Sequence, residues 1–158
     1  MTDLVFAYGS LLGRDATPYV LRDHARGWDV AMDNRETIPG YKYYLDEDGG
    51  RPEVYVAFLS IRPEPGASVA GAVFAADDET LAALDERERN YDRVDVTGLV
   101  DVEGRVWAYV GSEAGRARCA AGRAAGTAVV AAQYLALVPN AEPPDLPVRP
   151  LLRRDVSA

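Results

Sequence analysis

The chain has 158 residues and a formal net charge of −8, a length that suits one domain with its own hydrophobic core. Its 25 Asp and Glu outnumber its 17 Lys and Arg, which argues against nucleic acid as a partner, because phosphate backbones are met by clustered cations. One Cys and one His exclude an internal disulfide and make a His/Cys metal centre improbable, and no apolar run approaches the roughly 20 residues of a membrane span.

The N-terminus MTDLVFAYGS has neither a basic leader region nor a cleavage site, so a cytoplasmic protein without membrane association is expected. Lys42 is the only lysine beside many Arg, Ala, Asp and Gly, the usage of a GC-rich bacterial genome.

Taken in order, Leu4–Ala7 is an apolar strand broken by Tyr8-Gly9-Ser10, where a phenol, a bare backbone and a hydroxyl replace the apolar run. Thr17-Pro18 suggests a helical start, followed by a turn at Gly27 and a strand in which Trp28, Val30 and Met32 alternate. YKYYL extends it. VYVAFLSIRP and ASVAGAVFAA, separated by Pro63-Glu64-Pro65-Gly66, read as a hairpin. The acidic DDETLAALDERER predicts a helix from Asp78 to Arg89, with Asp78 as N-cap. Two strands joined at Val102-Glu103-Gly104 follow, then a small-residue loop, EAGRARCAAGRAAG, and a helix, TAVVAAQYLALV. The division expected is a domain over 1–140 and a Pro-rich tail over 141–158. This order favours an α+β domain with a largely antiparallel or mixed sheet.

In the predicted helix, positions 81, 84, 85 and 88 share one face, because each residue turns about 100°. Leu81 and Leu84 must point to the core, so Glu88 points inward and Glu86 outward. An inward carboxylate is paired, neutral or lining a cavity. Arg93 and Arg105 are available as ion-pair partners, and catalysis is the other reading. The Tyr8-Gly9-Ser10 loop is equally two-sided, since Gly there serves either chain geometry or close approach to a ligand. His24 in LRDHARG reads as a surface residue. Cys119 lacks a base partner placed by sequence. GYKYYLD is either packing or an aromatic binding edge, and the arginines of GRARCAAGR either meet an anionic substrate or balance an acidic protein.

FAYGSLL, GAVFAADDETLAALDERERNYDRVDV and AAQYLALV resemble, in order and spacing, the γ-glutamylcyclotransferase-like family, which includes AIG2-like proteins, ChaC glutathione-degrading enzymes and γ-glutamylamine cyclotransferases. The resemblance spans about residues 4–138. It implies a small, mostly antiparallel (mixed) β-barrel with flanking helices. It also implies a substrate loop at Tyr8, Gly9, Ser10 and Leu11, a catalytic glutamate at Glu88, and pocket tyrosines at Tyr91 and Tyr134. Where many glutathione-pathway members carry Asn after the Ser, this chain has Leu11, which leaves the catalytic logic intact and the identity of the amine open.

The chemistry implied is a transferase or lyase reaction without cofactor or metal. A γ-glutamyl amide closes on its own α-amine to give 5-oxoproline and the free amine, with Glu88, its pKa raised by burial, as base and then acid. Backbone N–H groups of residues 9–11 would hold an oxyanion or the substrate carboxylate. The expected partner is a small γ-glutamyl substrate, and the protein a monomer or homodimer. Two other readings stand beside this one: a non-catalytic binding or regulatory module that keeps the pocket, and an enzyme that removes a γ-glutamyl protecting group in a biosynthetic pathway.

Overall fold

A computed structural model describes residues 3–9, 18–138 and 140–157. Its elements in order are β1 (Asp3–Ala7), β2 (Pro18–Asp33), β3 (Lys42–Leu45), β4 (Tyr55–Ala76), α1 (Asp78–Arg87), β5 (Tyr91–Asp95), β6 (Val106–Gly111), α2 (Glu113–Ala125), β7 (Ala128–Ala131), α3 (Ala132–Ala136), β8 (Val148–Arg149) and β9 (Leu152–Asp155). They form two compact units, one from the residues up to Gly27 with Ser60–Gly111, the other from Trp28–Leu59 with the residues after Gly111. Strands β2 and β4 run through both.

In the first unit the strand order is β5-β6-β1-β4, and β2 also pairs with β4. β1 runs antiparallel to β4 and parallel to β6, while β5 and β6 are antiparallel. The sheet is therefore mixed and, with α1 against it, the class is α+β, as expected. Strand alternation sorts the core. Leu4, Phe6 and Tyr8 join Val106, Ala108 and Val110 on one face. Val5 and Tyr109 meet Leu81 and Leu84 of α1 on the other.

The N-cap of α1 is Asp77 rather than Asp78: its carboxylate accepts from the Thr80 N–H at 2.8 Å. Asp78 and Glu79 instead occupy the first turn, where they still complement the helix dipole. The predicted hairpin over 54–76 is one 22-residue strand. Pro63 and Pro65 lie in an exposed part of it, where a missing N–H is tolerated and the fixed φ suits extended backbone. Of the helical start predicted at Thr17-Pro18, Thr17 lies outside the described residues, and from Pro18 the chain is β2, which continues through Gly27.

The second unit pairs β7 in parallel with both β4 and β8, and β3 antiparallel with β9. Residues 113–125, read from sequence as a loop, form α2. Ser112 caps its N-terminus by accepting from Gly115 N–H at 3.0 Å, and Gly126 ends it at φ 72°. Its buried residues are Gly115, Cys119 and Gly122, a stripe of small residues instead of large apolar ones. A Cβ on Gly122 would lie 2.8 Å from Tyr55 Cβ, so that face admits only glycine at its tightest point. The predicted helix over 127–138 is a buried strand, β7, followed by the five-residue α3. Segment 141–158 supplies β8 and β9. Asn34, fully buried, ties the unit together: its amide donates to Tyr44 O and Pro52 O and accepts from Tyr44 N–H.

Candidate functional site

β1 delivers the Tyr8-Gly9 segment. Tyr8 continues the alternation of Leu4 and Phe6 into the core, and its hydroxyl donates to the Tyr109 carbonyl at 2.5 Å. The Tyr8 carbonyl in turn accepts from Arg26 Nη1 at 2.7 Å. The residue that opens the loop is thus held at its ring and at its backbone. Gly9 is buried. Ser10 and Leu11, the remainder of the expected substrate loop, lie outside the described residues.

Glu88 stands where α1 ends. Its N–H donates to Leu84 O at 2.8 Å, the last helical bond, and its φ of −92° and ψ of 66° turn the chain out of the helix. Its carbonyl then accepts from Tyr91 N–H at 3.2 Å, and Tyr91 begins β5 against Gly111 of β6. Glu88 is half-buried and Glu86 exposed, while Asp85, which helical spacing put on the same inward face as Glu88, is exposed. Tyr91 packs beside Leu81, Leu84 and Tyr109. Tyr8, Gly9, Glu88 and Tyr91 all belong to the first unit.

The two arginines weighed as ion-pair partners of Glu88 hold other carboxylates. Arg93 grips Asp85 through Nε at 2.9 Å and Nη2 at 3.1 Å, with its guanidinium 4.4 Å from the centre of the Trp107 ring. Arg105 donates to Asp3 at 3.1 Å, and the Trp107 indole donates to the same oxygen at 2.8 Å. Those donors, the Trp107 indole first, keep the Asp3 carboxyl below its usual range.

Three residues absent from the sequence reading of the site belong to its surroundings: Arg26, Asp85 and Tyr109. Tyr109 is 3% exposed, and its hydroxyl donates a hydrogen bond to Asp85 Oδ1 at 2.7 Å. Burial, then the bond to Asp85, then the charges of Asp85 and Glu88 push the phenol well above its ordinary value, so it is a fixed donor at neutral pH. The sequence held one sign of it, a hydroxyl-bearing ring inside the apolar run Val106–Val110.

The remaining candidate residues have bonded surroundings of their own. Tyr134 lies in the second unit on α3, its ring edge-on to Trp28 at 5.9 Å and to Phe58 at 4.9 Å. His24 is buried rather than exposed, its Nδ1 3.0 Å from Arg22 O. It sits on β2, not in the polar turn that its neighbours suggested. Cys119 is buried with Sγ directed at Trp28 O, and burial raises its thiol above the ordinary value, which suppresses a thiolate. Arg118 donates to Ala31 O and Arg123 to Asp145 and Trp28 O, so two arginines of α2 serve the second unit's own structure. Among the described residues no group of three His, Cys, Asp or Glu is placed to hold a metal ion, and no helix is long and apolar enough to cross a membrane.

The family model described as gamma-glutamyl cyclotransferase, AIG2-like, matches residues 5–124, a span that contains Tyr8 to Leu11, Glu88 and Tyr91. Among solved structures, a gamma-glutamyl cyclotransferase is 20% identical with a TM-score of 0.43, covering 71% of this chain and 68% of that one. An ensemble-refined crystal structure of an uncharacterized protein from Homo sapiens is 21% identical with a TM-score of 0.44 and the same coverage. No curated protein shows significant similarity to the chain.

Proposed function

Because the chain belongs to the gamma-glutamyl cyclotransferase, AIG2-like family, we propose that it cyclises the γ-glutamyl group of a γ-glutamyl amide to 5-oxoproline and releases the amine. The observation that carries this reading is Glu88: a half-buried carboxylate at the end of α1, in the same unit as Tyr8 and Gly9.

In the reaction the substrate's α-nitrogen attacks its own γ-carbonyl carbon, the new C–N bond closes a five-membered ring, and the old amide C–N bond breaks. Two protons must move from the attacking nitrogen to the departing one. A single carboxylate between the two nitrogens accepts each and returns it, which is the role given to Glu88. The ring closure is intramolecular, so the site need only hold the chain folded on itself. The backbone donors that meet the developing oxyanion or the α-carboxylate are assigned to Gly9, Ser10 and Leu11.

The test is a crystal structure with 5-oxoproline bound. The ligand is expected against residues 8–11, with a Glu88 carboxylate oxygen within hydrogen-bond reach of the lactam nitrogen. Ligand density elsewhere, with Glu88 engaged by an arginine, would overturn the assignment.

A further inference from the structure

Tyr109 is bonded in two directions, toward Tyr8 and, through its hydroxyl, toward α1, where Leu81 O also lies at 3.5 Å. Its backbone oxygen receives the Tyr8 hydroxyl at 2.5 Å, and its own hydroxyl reaches Asp85 Oδ1 at 2.7 Å. Asp85 is in the last turn of α1, three residues before Glu88, and is held by two Arg93 contacts, one of them to the same Oδ1 that accepts from Tyr109. The Arg93 guanidinium is itself fixed over the Trp107 ring, and Trp107 and Tyr109 are alternate residues of β6 on the face that α1 covers. One strand therefore grips both the helix end and the start of the loop.

We propose that Tyr109 is a positioning residue, linking the turn that carries Glu88 to the Tyr8-Gly9 segment so that proton shuttle and substrate loop keep one spacing. This rests on the reading of Glu88 as the proton-shuttling group. A helix end is where backbone order is weakest, and a shuttling carboxylate loses efficiency with small displacements. The Tyr109–Asp85 bond supplies at that point a charge-assisted contact with a buried donor. Asp85 accepts it while paired to Arg93, so the cluster adds no net charge beside Glu88.

Tyr109→Phe removes the hydroxyl and leaves the ring and the carbonyl that serves Tyr8. Amide hydrogen exchange and steady-state turnover of a γ-glutamyl amide, measured on the same variant, test the link. The N–H groups of Glu88 and Tyr91, bonded to Leu84 O and Glu88 O, are expected to exchange about tenfold faster, the β1–β4 ladder is expected to stay unchanged, and kcat is expected to fall about tenfold at constant KM. Asp85→Ala, which removes the same bond together with both Arg93 contacts, is expected to speed the same exchange and serves for that readout if Tyr109→Phe does not fold. Unchanged exchange at Glu88 and Tyr91, or faster exchange with kcat intact, would overturn the proposal. If the wild-type protein turns over no γ-glutamyl amide, the reading of Glu88 fails instead, and the exchange rates alone decide whether Tyr109 holds the turn.

Discussion

Glu88→Gln is expected to lower kcat by roughly 10²–10⁴-fold, the usual contribution of a positioned acid–base group, with KM and Tm close to wild type. The amide keeps the shape and size of the carboxylate but cannot take up the α-ammonium proton. Its backbone bonds to Leu84 and Tyr91 do not depend on the side chain, so the end of α1 is retained. Were Glu88 an ion-pair residue instead, the same substitution would lower Tm and spare turnover. Glu86→Gln, two residues away and exposed, is the control and should change neither.

The largest effect on stability is expected from Gly71→Ala. A Cβ at Gly71 would lie 2.2 Å from the Ala7 carbonyl oxygen and 2.6 Å from Phe6 Cζ. Phe6 is 1% exposed, so its ring has no solvent to move into, and the Ala7 oxygen belongs to backbone paired with β4. Inserting carbon into a packed core typically costs about 1–3 kcal/mol. With a backbone atom in the way, a loss of at least about 3 kcal/mol is expected, read as the shift in urea midpoint at constant m-value. Ala7 is followed directly by Tyr8, so whatever fraction folds is also expected to bind 5-oxoproline more weakly. Ala70→Ser, at the adjacent exposed position, should stay within about 0.5 kcal/mol of wild type. A folded Gly71→Ala of normal stability would show that β1 is not seated against β4 as described.

The parts legible from sequence were those where large apolar residues carried a period. Leu81 and Leu84 marked α1 and its inner face, and with it the half-burial of Glu88. Two strands were legible around Val102-Glu103-Gly104, but β5 ends at Asp95 and the connection to β6 spans 96–105, longer than the tight turn expected. The failures have one physical cause each. In α2 the buried stripe is Gly115, Cys119 and Gly122, so the helical period carried no hydrophobic signal, although Ser112 and Gly126 marked both ends. In β7 all four residues are buried, and a strand covered on both faces reads like a buried helix. Pro63, Pro65 and Gly66 looked like a turn because turns use the same residues as this exposed stretch of β4, in which Gly66 adopts a φ of 84°. Around the site, Glu88 and Tyr8 stood out as polar groups in apolar contexts. The pairing of Arg93 with Asp85 rather than with Glu88 did not, since only the fold brings residues from α1 and β5 to Tyr109 of β6.

The most direct measurement of the account is the identity of the product. The protein is incubated with a panel of γ-glutamyl amides and the γ-glutamyl carbon skeleton is followed by mass spectrometry. Release of 5-oxoproline in equal amount to the free amine, from at least one member and lost in Glu88→Gln, is the predicted result. Release of free glutamate instead, which requires attack by water rather than by the substrate's own nitrogen, or no product from any amide, would contradict it.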